Sequence, residues 1–254
     1  MSNDLFIPDS LLPCDNELEV PTLDINMQPK FCDIPFVLWG EQRRTFKMNG
    51  CGTLHFYTDG YRFGDSLYQH PEKILQHNPA NIVEPNYSLF NETPIAFVLQ
   101  AIYKKRFIAR AMQRKGIKVF ADLNVASKFY KLNLIGIPRG YGAFCTRGNA
   151  ERLNYLAFEL EIAKMIADGN PLLFVCYGGG EPCKKFCREN GLVYVSPIVN
   201  VKNKIKSFEK IKESIAFFGK EISPLELMPS LKELPTMEDV SKENVFDFSK
   251  KLGA

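Results

Sequence analysis

Short apolar runs and longer amphipathic ones take turns along the middle of the chain. "TLHFYT" (53–58), "NIVEPNYSLF" (81–90), "IKVFADLNV" (117–125), "YGAFCTRG" (141–148), "PLLFVCY" (171–177) and "GLVYVSPIV" (191–199) are β-branched or aromatic blocks of strand length. "PLLFVCY" is continuously apolar, the pattern of a strand covered on both faces. Between the blocks lie helical stretches: "SLYQHPEKILQH" (66–77), residues 93–116 with Thr93 as cap, Pro94 at the first helical position and Gly116 at the end, and residues 149–169, opened by Asn149 and closed by Gly169. A shorter helix follows residue 180.

Strands alternating with helices over about 150 residues predict an α/β fold, a mostly parallel sheet with βαβ crossovers. About six strands are fewer than a complete (β/α)₈ barrel needs, so an open or incompletely closed, barrel-like sheet is expected. Flanking this core, taken as 51–200, the pattern changes. Residues 1–50 carry Pro8, Pro13, Pro21, Pro29 and Pro35 and read as an extended arm, with "IPFVLWGE" the one strand-like piece. Residues 201–222 place Ile205, Phe208, Ile211, Ile215 and Phe218 at helical spacing with lysines opposite, an amphipathic basic helix, and 223–254 form a proline-punctuated charged tail.

Composition adjusts the picture only slightly. The 254 residues carry a formal charge of +3, too near balance to argue for nucleic acid without local clustering. No leader pattern and no apolar run of membrane-spanning length is seen, so a cytoplasmic protein that does not enter a membrane is expected. Seven scattered cysteines, an odd number, fit free thiols in a reducing compartment.

The segments "HFYTDGYRF", "PEKIL", "EPNYSLF", "GIKVFADLNV", "LIGIPRG" and "VCYGGG", in that order over residues 53–198, resemble the DUF4417 family of phages, mobile elements and bacteria. The resemblance implies a phage or mobile-element-type protein, which would then act in the host cytoplasm. It brings no reaction with it. The chain departs from the family pattern at Asn86, where an acidic residue is expected, and at Ala126 and Ser127, which replace an acidic pair; Asp122 is the candidate for a relocated carboxylate.

In a parallel sheet, ligands gather at the carboxyl ends of the strands, so residues leaving the strands are the candidates. Asp59, Glu84 and Asp122 could act as catalytic or metal-holding carboxylates, with Mg²⁺ as the cofactor they would suit, while Arg62, Asn86, Asn124, Arg147, Tyr177 and the loop Gly178, Gly179, Gly180 could bind a phosphate-bearing ligand. Against this stands the plainer reading, in which the acids and amides cap helices, the arginines pair with them, and the glycines make a tight turn. Glu181 beside that turn would repel a phosphate unless a cation intervened. Cys183 and Cys187, with Cys176 before them, lack the second cysteine pair of a structural zinc site and read as small buried residues facing the sheet. The three histidines form no paired-histidine motif. Lys104, Lys105, Arg106, Arg110 and Arg114 on one helix could make a nucleic-acid stripe or simply a solvated face. Two functions remain open: binding of nucleic acid or a nucleotide at the strand ends, or a non-enzymatic adaptor that takes a protein partner through the arm and tail.

Overall fold

The computed structural model describes residues 11–41 and 48–197. Seven strands, β1 (Phe36–Leu38), β2 (Thr53–His55), β3 (Asn81–Val83), β4 (Lys118–Asp122), β5 (Ala143–Arg147), β6 (Leu173–Tyr177) and β7 (Val193–Val195), form one parallel sheet whose spatial order is the chain order. The helices are α1 (Gly64–Gln69), α2 (Ile95–Arg114), α3 (Tyr130–Asn133), α4 (Leu153–Ala167) and α5 (Gly180–Glu189). A sheet that always adds its next strand on the same side, with helices outside, curls toward closure. The curl is seen directly: the rings of Phe36 on β1 and Tyr177 on β6, strands that are not sheet neighbours, lie 5.5 Å apart. β1 and β7 do not pair, so the barrel is nearly closed and keeps an unsealed seam.

The expected count of about six strands is one short because "IPFVLWGE" supplies β1, which pairs with β2 in the register Phe36 to Thr53. Helix limits shift for local reasons. Pro94 is the N-cap of α2, not its first helical residue, because the Thr93 hydroxyl accepts from the Phe90 N–H instead of capping the helix. The Asn149 side chain accepts from the Glu151 N–H, making a turn that delays α4 to Leu153; at the other end Asp168 takes the left-handed conformation one residue before Gly169. "SLYQHPEKILQH" breaks at Pro71 into α1 and a 3-10 stretch, since proline lacks the amide that a continuous helix would use. The short α3, with the turn before it, follows a segment that carries no clear period. The amphipathic helix expected at 201–222, the tail at 223–254 and the last residues of the final strand block lie outside the described residues.

The arm is part of the fold. Over residues 11–35 it runs beneath the amino ends of the strands with Leu12, Val20, Leu23 and Cys32 buried. Its backbone is stitched in place: the Leu23 N–H donates to the Gly136 carbonyl at 2.9 Å, and Asp24 and Gln113 exchange two hydrogen bonds at 2.7 and 3.0 Å. Gln28 Oε1 accepts from the Gly142 N–H at 2.6 Å just before β5, and Thr53 Oγ1 at the start of β2 donates to the Asp33 carbonyl at 2.7 Å. A parallel barrel must be plugged at its amino end to keep its interior dry, and here the arm is the floor. Over 11–35 it therefore contributes Leu12, Val20, Leu23 and Cys32 to the buried interior, while Leu11, Leu18 and Phe31 stay exposed.

Gly136 sits where arm and barrel touch, at φ +77°, and a Cβ there would run into the Pro21 carbonyl oxygen. Gly136→Ala is expected to cost about 1–3 kcal/mol, the scale of a strained left-handed residue. Urea unfolding of the variant beside wild type measures it, with proteolysis within residues 11–35 reporting release of the floor.

Candidate functional site

At the carboxyl ends of β3 and β4 the fold brings together two acids and two bases that water does not reach. Glu84, Asp122 and Arg106 are fully buried and Lys105 is 5% exposed. Arg106 on α2 uses each edge of its guanidinium: Nη1 pairs with Glu84, Nη2 donates to the Asn133 carbonyl, and Nε donates to the Ile135 carbonyl at 3.0 Å. Glu84 also accepts from the Asp122 N–H at 2.9 Å. Asp122 in turn accepts from the Tyr57 hydroxyl at 3.0 Å, the Asn86 amide at 2.9 Å and the Asn124 N–H at 3.2 Å, with Lys105 Nζ 3.4 Å away. Burial pushes the Asp122 carboxyl up and the Lys105 ammonium down, each partly offset by the charge of the other. Each member has at least one partner, although Glu84 Oε1 and Asn133 Oδ1 are buried without one, and the cluster works as a tie between β3, β4, α2, α3 and the segment after β2.

Of the three predicted carboxylates, Glu84 and Asp122 therefore share one cluster, and Asp59 does not join them. Asp59 is exposed on the loop after β2, as is Arg62, whose guanidinium lies 6.0 Å from the Tyr61 ring centroid. Among the described residues no group of three or more His, Cys, Asp or Glu is arranged to hold a metal ion. The basic stripe is also dismantled. Lys105 and Arg106 turn inward, Lys104 pairs with Asp65 at 2.5 Å, Arg110 lies 3.7 Å from Asp24, and Arg114 stays exposed.

A different constellation lines the mouth of the barrel. The His55 ring stacks on Phe36 with centroids 4.6 Å apart and sits 4.2 Å from Tyr177, while Tyr57 lies 5.8 Å from Tyr177 and nearly parallel to it. Four rings, from β1, β2, the segment just after β2 and β6, thus meet across the interior. His55 Nδ1 accepts from the Tyr57 N–H at 3.4 Å, so the hydrogen of the neutral ring sits on Nε2. That Nε2 is buried and has no hydrogen-bond partner. Burial, and after it the nearby Arg147 charge, hold the His55 pKa down at about 3, which keeps the ring neutral. Arg147 is the last residue of β5, in register with Tyr177 and exposed. Strand alternation puts it on the same side as Cys145, which hydrogen-bonds Tyr57 inside the barrel.

The three glycines leave β6 at this rim with φ of +77°, +85° and +69°, and Gly179 caps α5. Positive φ favours glycine at all three, and at Gly179 space demands it as well: a Cβ there would overlap Cys183 Sγ and the Gly148 backbone. Behind the turn, on the outer side, Cys176, Cys183 and Cys187 are fully buried and their thiols hydrogen-bond one another, which drives the Cys176 thiol far up in pKa. The sequence singled out Arg147, Tyr177 and the glycines but missed Phe36 and Tyr57 as their companions, and it missed Lys105 and Arg106 as inward partners of the carboxylates. Val98, Ile102, Lys105, Ala109 and Met112 share one helical stripe, and all are buried; that spacing was the available signal for Lys105.

Fold and site together define a nearly closed parallel α/β barrel with a ring-lined mouth at its carboxyl end. Residues 12–191 match DUF4417, described as a domain of unknown function, and the chain belongs to that family. Two phage proteins are similar to it: the Gene 1 protein of Mycobacterium phage D29, 24% identical over 65% of this chain and 62% of the relative, and the Gene 1 protein of Mycobacterium phage L5, 26% identical over 57% of this chain and 66% of the relative. The chain thus spans a little under two thirds of the length of these curated relatives. It is a phage-type protein by this likeness. No solved structure matches it. No helix among the described residues is long and apolar enough to cross a membrane.

Two outcomes follow from these buried groups. Arg106→Met should strand Glu84 without its counter-ion and cost about 3–5 kcal/mol in chemical denaturation, whereas Arg106→Met combined with Glu84→Leu should recover much of that loss. Glu159, on α4, is partly covered, and burial raises its carboxyl to about 8, with the Thr146 hydroxyl pulling the other way. A carboxyl raised in the folded state favours folding below its unfolded pKa and loses that advantage as pH climbs to the folded value. Thermal melts should therefore show wild type losing stability between about pH 4.5 and 8 more steeply than Glu159→Gln.

Proposed function

We propose that the protein binds a nucleotide-type ligand, a flat ring bearing phosphate, at the mouth formed by Phe36, His55, Tyr57, Arg147, Tyr177 and the Gly178–Gly180 turn. The observation that carries this reading is the unused His55 Nε2–H: a buried donor among aromatic rings, beside an exposed guanidinium. A buried polar group without a partner costs stability, and a ligand acceptor would satisfy it. Aromatic faces suit a planar base, and a guanidinium suits phosphoryl oxygens. The two features lie at the end of the sheet where parallel α/β proteins place their ligands. Glu84 and Asp122 support the mouth from below through Tyr57 and do not themselves meet the ligand. A free nucleotide fits this arrangement better than a duplex, because the described part of α2 offers no continuous cationic face to a phosphate backbone.

The test is a thermal-shift series with mononucleotides, the matching nucleosides and inorganic phosphate, run on wild type and on Arg147→Ala, whose exposed side chain leaves the core intact. A nucleotide present at a hundred times its Kd should add about 2.7 kcal/mol of stability. Arg147→Ala should lose most of the difference between nucleotide and nucleoside. No shift with any of these compounds, or the same shift in both proteins, overturns the reading.

A further inference from the structure

On the other side of the rim, the loops after β2 and β3 and the start of α2 enclose an open cleft of about 660 Å³, lined among others by Asp59, Tyr61, Asp65, Leu89, Phe97 and Lys104. Tyr61 and Phe97 line it, and Phe90 and Ile95 stand in the same 89–97 stretch of chain as the lining residues Leu89, Thr93 and Phe97. Tyr61 is 81% exposed, Phe90 68%, Ile95 57% and Phe97 64%, and apart from these four the exposed large hydrophobics among the described residues lie in the arm. Burying such rings against an apolar partner is favourable by the ordinary hydrophobic effect, and a concentrated apolar patch marks a surface meant to be covered. Its lining leans acidic, with Asp59 and Asp65 against Lys104.

We propose that this patch is the docking face for the chain's own segment 205–218. Ile205, Phe208, Ile211, Ile215 and Phe218 recur there at helical spacing, and residues 201–222 hold six lysines against three glutamates, the sign that complements the acidic rim. The reach is sufficient. β7 ends at the same carboxyl end of the barrel, and the seam plus two strand spacings of about 5 Å each lie between it and β3. The residues between Pro197 and Ile205, extended at about 3.3 Å each, span more than 20 Å. The segment would lay its apolar stripe over Phe97, Ile95 and Phe90, with Lys204, Lys206, Lys210 and Lys212 facing Asp59, Asp65 and Glu92. This assignment stands on the patch and not on the ligand reading of the mouth.

Zero-length carbodiimide cross-linking of the full chain, followed by mass spectrometry of the monomer band, tests it. The Lys104 to Asp65 link, bridging 2.5 Å within the described fold, serves as the internal control. Links from Lys204, Lys206, Lys210 or Lys212 to Asp59, Asp65 or Glu92 are expected within one chain, and both Phe97→Asp and Ile211→Asp should abolish them. The proposal is overturned if those links occur only between two chains, if these lysines link to carboxylates elsewhere or to none while the control link forms, or if the two variants leave the links in place.

Discussion

The pairing of Arg106 with Glu84 is the contact on which the rest of the arrangement depends. A charge taken out of water must be met on every side, and the guanidinium is: one edge by a carboxylate, the others by carbonyls from the segment around α3. Because Glu84 also receives the Asp122 amide, the pair fixes where β4 ends relative to β3. Asp122 then fixes Tyr57, and Tyr57 stands in the ring cluster with His55 and Tyr177. A chain of contacts therefore runs from the outer helix to the mouth, and the geometry of the exposed end is inherited from a buried ion pair.

This division of labour accounts for where polar residues sit. The groups with the strongest charges are closed off and paired with one another, and serve as scaffold, with one Glu84 oxygen left without a hydrogen bond. The residues gathered at the carboxyl end beside this cluster are rings, glycines, one neutral imidazole and an arginine. Burial keeps His55 neutral across the physiological range, so its Nε2 remains a donor there. The floor laid by the arm completes the division, because hydrogen bonds from the arm to Gly136, Gln113, Gly142 and Thr53 hold it across the amino end.

Much of the fold could be read in the chain because strand blocks and helical blocks differ in period, and capping residues mark their limits to within a few positions. β1 was half visible: "IPFVLWGE" looks like a strand, but nothing local says that it pairs with β2. The site was less legible. Arg147, Tyr177 and the glycines are found by asking what leaves each strand. Lys105 and Arg106 deceive because lysine and arginine on a helix usually face water, whereas α2 is buried nearly all round in its second half. Phe36 and Tyr57 deceive in the opposite sense, since an aromatic residue in a strand reads as core until closure of the sheet shows which rings face one another. Asp59 was grouped with Glu84 and Asp122 by its place after a strand, and only the path of the loop separates it from them.

The strand order also bears on how the protein is made. Each strand pairs with the one synthesised just before it, so a growing chain can add every new unit to an edge that already exists, with only a helix or loop between partners. Among the described residues two contacts reach back furthest: the arm held under strands made after it, and Tyr177 meeting Phe36 across the interior. Until β6 emerges, the barrel is an unrolled sheet with its inner rings exposed, and the last third of the core domain decides when that surface is put away.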